Sequence, residues 1–374
     1  MPAILIFKET VLPRSETFIL AQMQAMRKFS ARLIGLEEVP SGLPLPSKPL
    51  LLCRARGGAG ALRAKIYRKS GIAPLFHARA RREQSALLHA HFASGGLTAI
   101  PLAKSLDVPL IVTLHGSDVT VKWASAGSMR RLGREATLFL CVSHFIRDRA
   151  IAAGLPEEKL RVHYIGVDLQ QFQAPAADID GAGVLFVGRL VEKKGCAYLL
   201  RAMASVQKTY PDCLLNIIGD GPLRSYLESH ARELGVSCRF LGAQPPAIVR
   251  EHLRGTRIFC APSVTAENGD SEGLGIVFAE AQAMGIPVVS SLHGGIPEVV
   301  SDGRTGLLVP ERDHAALAAA IASLLGNASL CDQFRHNARA HIAHSFDLAK
   351  QTAELETIYQ DVIAAASQSR PGPV

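Results

Sequence analysis

The sequence predicts an α/β protein made of two doubly wound, Rossmann-like domains, each built on a parallel sheet. Three observations lead to this prediction. Short apolar runs alternate with helical patterns, which is typical of βαβ units. The length of 374 residues exceeds what one hydrophobic core usually serves. Periodicity stops over residues 166–183, where Gly, Ala, Pro and Asp dominate, and this break indicates a linker between domains.

The first domain is predicted from apolar runs with helical patterns between them. The runs are AILIF, LLHAHF, LIVTLHG and TLFLCVS, and the helical patterns include SETFILAQMQAMRKF, GLTAIPLAKSL and HFIRDRAIAAG. Between Ser41 and Ala80 the pattern loosens. We expect an excursion there with one or two amphipathic helices that carry basic residues, and such a segment can lie on a membrane surface.

The second domain is predicted from a further series of strands. It starts with VLFVGRL and continues through CLLNIIG, CRFLG, RIFCAPS, IPVVSS and GLLVP, each followed by a helical pattern. Long helices are expected from about Asp313. Ligands of such open sheets bind at the carboxyl ends of the strands, so candidate residues are sought there.

The net charge of +8 is unevenly distributed. Residues 1–170 hold 24 Lys and Arg against 12 Asp and Glu, and residues 171–374 hold 17 against 21. No acidic residue occurs between Glu38 and Glu83, and residues 48–82 carry a basic run. This run favours an acidic membrane surface or a lipid-linked pyrophosphate, and the alternative is a solvated face without a partner. Nucleic acid is not expected, because no nucleic-acid module or aromatic array accompanies the charge.

The cysteines and the N-terminus indicate a compartment. Seven cysteines are spread without CxxC or finger-like spacing, several of them in apolar runs, so we interpret them as reduced core residues of a cytoplasmic protein. The apolar run before Lys8 is too short for a signal peptide, and no stretch approaches eighteen apolar residues. The protein is expected to be soluble or peripheral.

The frame EGLGIVFAE places two carboxylates around a glycine-rich turn that opens a helix. Glycines let the backbone approach a ligand closely, and the free amides and dipole of a helix N-terminus favour a diphosphate. Glu272 can accept hydrogen bonds from sugar hydroxyls, and Glu280 can bind a ribose diol. The alternative is an amphipathic helix with two solvated glutamates. The predicted donor-binding residues of this frame are Glu272, Gly273, Leu274, Gly275, Ile276 and Glu280.

Further motifs surround this frame in a fixed order. VLFVGRLVEKKG and LNIIGDGPLRSYL precede it, and IPVVSS and HGGIPEVVSDGRTGLLVP follow it. With its motifs in this order, the sequence resembles the retaining glycosyltransferases of family 4, which are also called group 1 glycosyl transferases. The resemblance extends from the first strand to FDLAKQTAELETIYQ. The resemblance implies the GT-B architecture, in which two Rossmann-like domains face each other across a cleft.

The resemblance also implies that the final helix crosses back onto the first domain. We therefore predict an acceptor-side domain over residues 1–168, a linker over 169–182 and a nucleotide-sugar-binding domain over 183–346. The helix from about residue 347 is expected to pack on the first domain.

By resemblance, two basic residues of GRLVEKKG grip the donor diphosphate. They are Arg189 and Lys194, and an arginine fork with a lysine point charge suits this task. Gly188 is assigned to the donor site, and Gly219 of GDGP borders the nucleotide, although on spacing alone GDGP is a turn. Lys193 is expected to be a bystander.

The string HGSD follows an apolar strand of the first domain. By resemblance, His115 approaches the donor sugar and the reaction centre, and Asp118 orders its loop. The catalytic residues are therefore predicted to be His115, Glu272, Arg189 and Lys194.

The loop after the first strand departs from the family. Many members have a glycine pair there, whereas this chain reads KETVLPRSETFI. The PxSETF string resembles a branch that builds bacterial surface polysaccharides, in which this loop borders the acceptor. Ser15 and Glu16 are thus predicted on the acceptor side with His115 and Asp118. The alternative is that Ser15 and Glu16 only cap the helix that follows.

No metal is predicted. The chain lacks the Asp-x-Asp motif through which many transferases of another architecture bind a divalent ion. His89, His91 and His115 are of a residue type that binds zinc, but no further set of ligand residues with matching spacing accompanies them.

These features predict a retaining transferase that moves a hexose from a UDP- or GDP-sugar to a lipid-linked oligosaccharide or polysaccharide, forming an α-linkage without a cofactor. The basic first half favours a polyprenyl-pyrophosphate-linked acceptor, so the protein is expected to be cytoplasmic and peripheral at the inner face of a bacterial membrane. The alternatives are a soluble transferase with a cytoplasmic acceptor, a sugar-nucleotide epimerase of the same architecture, and a module that only binds a nucleotide. A nicotinamide dehydrogenase is disfavoured because no GxGxxG follows the first strand.

Overall fold

A computed structural model describes residues 1–13, 15–39, 42–53, 58–121, 124–174 and 183–368. The chain forms two compact units. The first comprises Met1–Gly166 and Leu348–Val374, and the second comprises Val167–Asp347. Of the predicted linker, residues 175–182 lie outside the described residues.

Within the described residues, the first unit is built on a seven-stranded parallel sheet. Its strands are β1 (Ala3–Val11), β2 (Ser30–Glu38), β3 (Leu50–Leu51), β4 (Ser85–His91), β5 (Leu110–Leu114), β6 (Leu138–Cys141) and β7 (Leu160–Val162). They lie in the order β3-β2-β1-β4-β5-β6-β7. Residues 4–7 of β1 are at most 1% exposed, because helices cover both faces of a parallel sheet.

The helices of this unit connect the strands. They are α1 (Thr17–Ala25), α2 (Gly58–Ser70), α3 (Pro74–Arg81), α4 (Ala93–Leu106), α5 (Ser117–Thr120), α6 (Ala126–Glu135) and α7 (His144–Ala152). The basic excursion thus contains two helices, α2 and α3, and the short strand β3. Its Arg54 and Arg56 lie outside the described residues.

The second unit repeats the architecture with a six-stranded parallel sheet in its described part. The strands β8 (Val184–Val187), β9 (Leu215–Ile218), β10 (Cys238–Gly242), β11 (Ile258–Cys260), β12 (Val288–Ser291) and β13 (Gly306–Val309) lie in the order β10-β9-β8-β11-β12-β13. The helices are α8 (Cys196–Thr209), α9 (Arg224–Glu233), α10 (Pro246–Arg254), α11 (Ile276–Ala283), α12 (Ile296–Val299), α13 (His314–Gly326) and α14 (Ala328–Ser345). The prediction of two doubly wound α/β domains is therefore confirmed.

The last helix, α15 (Leu348–Gln368), belongs to the first unit. Leu355, Ile358 and Tyr359 join the buried core of that unit. The Glu356 carboxylate accepts hydrogen bonds from the amides of residues 27, 28 and 29 at 2.8, 2.5 and 3.2 Å, so it binds the turn that precedes β2.

Two further findings concern the cysteines and the helices. All seven cysteines are unpaired, and only Cys238 is not buried. Among the described residues, no single helix is long and apolar enough to cross a membrane, although α13 and α14, which meet at 99°, meet that criterion as a bent pair.

Candidate active site

The predicted donor residues lie at the carboxyl edge of the second unit's sheet. Gly188 and Arg189 follow β8, Gly219 follows β9, and the segment Glu272–Gly275 lies between β11 and α11. Strand order reverses between β8 and β11. Open α/β sheets bind ligands at such a reversal, so the residues that the motifs selected converge where a ligand is expected.

An ion pair between Lys194 and Glu272 lies at the centre of this edge. Glu272 is only 9% exposed, and its carboxylate accepts a hydrogen bond from Lys194 Nζ. Burial alone would raise the pKa of Glu272, but the charges of Lys194 and Lys193 outweigh it and lower the pKa to about 2. Glu272 is therefore ionised and buried, which excludes the alternative of a solvated glutamate at this position.

Lys193 differs from the expectation of a bystander. It is 7% exposed, and its Nζ lies 2.9 Å from Asp270 Oδ1 and donates to the Ser271 carbonyl at 3.4 Å. Its own carbonyl accepts a hydrogen bond from the Val264 amide at 2.8 Å. Lys193 thus attaches the segment before Glu272 to the turn after β8.

Arg189 and the two glycines beside it occupy the same edge. Arg189 is exposed and makes no ion pair within the described residues. Gly219 lies against Gly188: a Cβ at Gly219 would stand 1.8 Å from the Gly188 carbonyl oxygen. This close approach of the two turns requires glycine at position 219.

The glycine-rich turn opens α11 as the sequence predicts. Gly275 has a φ of +80°, and a Cβ there would lie 2.5 Å from the ring of Phe278, so glycine is required. Leu274 is buried, whereas Ile276 is half-buried at the first helical position. The turn leaves the first amides of α11 as a potential anion-binding end.

Glu280 lies one turn into α11 and is half-buried. Burial raises the pKa of its carboxyl to about 7, against the opposing charge of Arg250. The pKa of Glu280 is therefore shifted in the opposite direction from that of Glu272.

His293, which the motifs did not single out, also contacts Glu272. It follows β12, is 4% exposed, and its Nε2 accepts a hydrogen bond from the Glu272 amide at 3.0 Å. Only its position before the glycine pair of HGGIP marked it in the sequence.

In the first unit, His115 and Asp118 follow β5. The buried Asp118 carboxylate accepts hydrogen bonds from the amides of His115 at 3.1 Å, Gly116 at 2.7 Å and Ala93 at 3.2 Å. Burial raises the pKa of Asp118, and these hydrogen bonds oppose that shift. Asp118 thereby joins the loop after β5 to the start of α4.

His115 belongs to a stack of histidines. Its Nε2 lies 3.0 Å from His91 Nδ1, and the His91 ring stacks on that of His89 at 4.6 Å. His89 in turn bonds Thr113 Oγ1 and the Tyr359 hydroxyl of α15, each at 2.6 Å. Burial lowers the pKa of all three rings, so they are neutral. No group of three or more side chains in the described part of the chain is arranged to hold a metal ion.

The predicted acceptor-side residue Glu16 forms an ion pair with Lys8. Glu16 Oε1 lies 2.8 Å from Lys8 Nζ, and that ammonium lies 4.0 Å above the ring of Phe92, which contacts His115. Glu16 is at the N-cap of α1 but makes no capping hydrogen bond with its side chain, and Ser15 is exposed. The Glu16 side chain therefore does not cap α1. Lys8 was not predicted as part of this site, because it lies within β1.

Comparisons with known proteins agree with this geometry. The profile "Glycosyltransferase Family 4" matches residues 20–171, and "Glycosyl transferases group 1" matches residues 169–341. WcaL of Escherichia coli strain K12, assigned as a colanic acid biosynthesis glycosyltransferase, is 33% identical over 288 residues, covering 72% of this chain and 69% of that protein. AmsK of Erwinia amylovora, an amylovoran biosynthesis glycosyltransferase, is 33% identical over 244 residues, covering 63% of this chain and 60% of that protein.

The structural comparison concerns the fold. HepE of Anabaena, whose crystal structure contains UDP and glucose, matches 96% of this chain and 100% of its own with a TM-score of 0.78 at 21% identity. This likeness identifies the pair of Rossmann-like units as the GT-B fold. The two profile matches and the identity to WcaL then show that the chain belongs to glycosyltransferase family 4, in a branch related to bacterial surface-polysaccharide enzymes.

Proposed function

We propose that this protein is a retaining hexosyltransferase that uses a UDP- or GDP-sugar and forms an α-glycosidic bond on a lipid-linked oligosaccharide or polysaccharide. The observation that carries the proposal is the buried Lys194–Glu272 ion pair beside the N-terminus of α11. It combines a cation suited to a diphosphate with an ionised carboxylate suited to sugar hydroxyls.

The donor fits this edge in three parts. Glu280 binds the ribose diol, the first amides of α11 meet the diphosphate, and Glu272 accepts hydrogen bonds from the sugar. Negative charge accumulates on the diphosphate as the glycosidic bond breaks, and Arg189 and Lys194 stabilise it. Stabilisation of this charge lowers the barrier because the interaction is strongest in the transition state.

In the transfer step, the acceptor oxygen attacks the anomeric carbon on the face from which the diphosphate leaves. The new carbon–oxygen bond forms as the bond to the phosphate oxygen breaks, and that phosphate oxygen takes the acceptor proton. His115, whose ring is neutral, is assigned to this step from the family resemblance of the HGSD string. Neither a covalent enzyme intermediate nor a metal ion is part of this proposal.

The acceptor side of the proposal rests on the first unit. The exposed residues of α2, α3 and their connection include Leu62, Ile66, Ile72 and Leu75, which are 57%, 50%, 68% and 83% exposed. Arg63, Lys65 and Lys69 are exposed on the same elements. Apolar side chains among basic ones suit an anionic membrane, so we propose peripheral binding at the inner face of a bacterial membrane, where a lipid-linked acceptor is available.

The donor experiment compares UDP and GDP without metal. The melting temperature is measured for the wild type, Glu280→Ala and the exposed control Glu251→Ala on α10, because a ligand that binds the folded state raises it. We expect one nucleotide to stabilise the wild type and the control, but not Glu280→Ala. If neither nucleotide raises the wild-type melting temperature at saturation, the donor assignment is wrong.

A transfer assay then separates the acceptor classes. The matching sugar nucleotide is incubated with chelator and either a detergent-dispersed polyprenyl-pyrophosphate glycan or a water-soluble glycan. An α-linked product on the lipid supports the proposal, whereas a product only on the soluble glycan favours a cytoplasmic acceptor. Conversion of the donor sugar without any acceptor would favour an epimerase.

The membrane proposal has its own test. Flotation with phosphatidylglycerol vesicles compares the wild type with a variant in which Arg63, Lys65 and Lys69 are changed to Gln. These residues suit the test better than Arg79 and Arg81, whose guanidinium groups bond the Leu51 carbonyl and Ser105. Equal flotation of both proteins would refute a role for the basic face.

A further inference from the structure

The turn after β12 binds both main-chain polar groups of Glu272. His293 Nε2 accepts a hydrogen bond from the Glu272 amide at 3.0 Å, and the Gly295 amide donates a hydrogen bond to the Glu272 carbonyl at 3.1 Å. Gly294, between them, has a φ of +56°, and a Cβ there would stand 2.3 Å from the same carbonyl oxygen. The HGG turn therefore fits closely around the backbone of one residue.

The hydrogen bonds fix the tautomer of His293. Nε2 accepts from an amide and carries no proton, so the proton of the neutral ring lies on Nδ1. Nδ1 donates to Glu311 Oε1 at 2.7 Å. Glu311 is itself held by the Thr265 amide at 2.7 Å and by the Thr265 hydroxyl at 3.3 Å. The ring is thus fixed on both sides, and it joins the segment after β13 to that after β11.

The contacts of Glu272 divide between its side chain and its main chain. Lys194 binds the carboxylate, and the HGG turn binds the amide and carbonyl. Donor binding is expected to draw Lys194 toward the diphosphate, which leaves the main-chain contacts to hold Glu272. A glutamate has a flexible side chain, so its carboxylate meets a sugar accurately only if its backbone is fixed.

We propose that His293 is a positioning residue for sugar transfer, whose Nδ1-protonated ring holds the Glu272 backbone so that the carboxylate meets the donor sugar. This inference rests on the proposed function, because it assigns Glu272 to the donor sugar. His293 does not touch the reacting atoms, and its effect passes through Glu272 alone.

Two substitutions separate the two hydrogen bonds of the ring. His293→Gln places an amide near the position of Nε2, where it can accept from the Glu272 amide. His293→Asn is shorter, retains a donor toward Glu311 and loses the contact with Glu272. Both remove the ring and leave a neutral amide, so each is the matched control of the other.

Three measurements are made on the wild type and both variants. Hydrogen–deuterium exchange follows the peptide containing the Glu272 amide. Melting temperatures with UDP and GDP report nucleotide binding, and nucleotide release from UDP-glucose and GDP-mannose reports cleavage of the donor. We expect His293→Asn to expose the amide and to lower the cleavage rate roughly 10-fold to 100-fold, as loss of a hydrogen bond to a buried amide implies. Nucleotide stabilisation should be unchanged, and His293→Gln should restore protection and most of the rate.

The outcomes distinguish the inference from the proposed function. If the Glu272 amide of His293→Asn stays protected, or if both variants cleave the donor at the wild-type rate, the inference is refuted. Equal loss of nucleotide stabilisation and rate in both variants also refutes it, because that pattern indicates general damage. If the exchange result is as expected but the wild type binds and cleaves no sugar nucleotide, the proposed function fails and with it the positioning role.

Discussion

Replacement of Lys194 by Met tests the electrostatic centre of the site. The variant removes the partner of a carboxylate that is only 9% exposed, so the charge of Glu272 is left largely uncompensated. Breaking a buried pair on one side is costly because the remaining ion is desolvated without its attraction. We therefore expect Lys194→Met to destabilise the second unit.

The magnitude follows from the pKa of Glu272. The folded value of about 2 lies below the ordinary value of 4.5, and at about 1.4 kcal/mol per unit the ionised form is stabilised by about 3 kcal/mol. Lys193 retains part of this effect, so the expected loss at neutral pH is about 2 kcal/mol, or roughly 4–8 °C in melting temperature for a unit of this size. Because the folded pKa is depressed, this stability is present above pH 4.5 and is lost as the pH falls toward 2.

The assay is a double-mutant cycle followed by thermal and urea unfolding. Lys194→Met and Glu272→Met are measured singly and together, with the exposed Lys208→Met of α8 as the control. The double variant should recover much of the loss of each single variant, because a well-packed apolar pair replaces the ions, with a coupling energy of about 2 kcal/mol. If Lys194→Met melts like the control at pH 7, or if the cycle gives no coupling, the account of a buried, mutually compensating pair is wrong.

Three further predictions concern other parts of the two units. The pKa of Glu280 is raised to about 7, so apo Glu280→Gln should be more stable than the wild type above pH 7, and nucleotide stabilisation of the wild type should strengthen as the pH rises from 6 to 8. Tyr359→Phe leaves His89 Nδ1 without its partner at 2.6 Å and should lower the free energy of unfolding by roughly 1–3 kcal/mol in urea titrations. Gly294→Ala should lower the melting temperature more than Gly303→Ala, because both have positive φ but only Gly294 faces a backbone carbonyl 2.3 Å from the new Cβ.

Most strands were predictable because they contain clear apolar runs. β1, β4, β5 and β8 stand out as apolar runs because parallel strands are buried on both faces. β3 and β7 have two and three residues, too few for any periodicity, and neither was predicted. β2, which reads SARLIGLEE, was also missed, because its buried positions include a glycine and Glu37 and are flanked by Arg32 and Glu38, so the apolar run is short.

The site was predictable where chemistry is concentrated in a short motif. Lys194 and Glu272 were identified from GRLVEKKG and EGLGIVFAE, although their pairing across 78 positions is a property of the fold. His293 and Glu311 lie 18 residues apart on different connections, and neither spacing nor residue type marks them as partners. Lys193 was expected to be a bystander because adjacent lysines look alike in sequence, and only the position of Asp270 distinguishes them.

The pKa values of the two carboxylates of EGLGIVFAE are shifted in opposite directions. The two residues therefore contribute differently to the pH dependence of donor binding. Two lysines keep Glu272 ionised at any physiological pH, so its contact with a sugar hydroxyl does not depend on proton release. For Glu280 the charge of Arg250 only partly offsets the effect of burial, so the carboxyl gains and loses a proton near pH 7. A carboxylate binds a diol best when it is ionised and can accept both hydrogen bonds. Nucleotide affinity should therefore vary with pH through Glu280 while the sugar contact stays constant, and Glu280→Gln should make donor binding weaker but independent of pH between 6 and 8. A pH dependence that persists in Glu280→Gln would have to originate elsewhere and would separate the ribose contact from this residue.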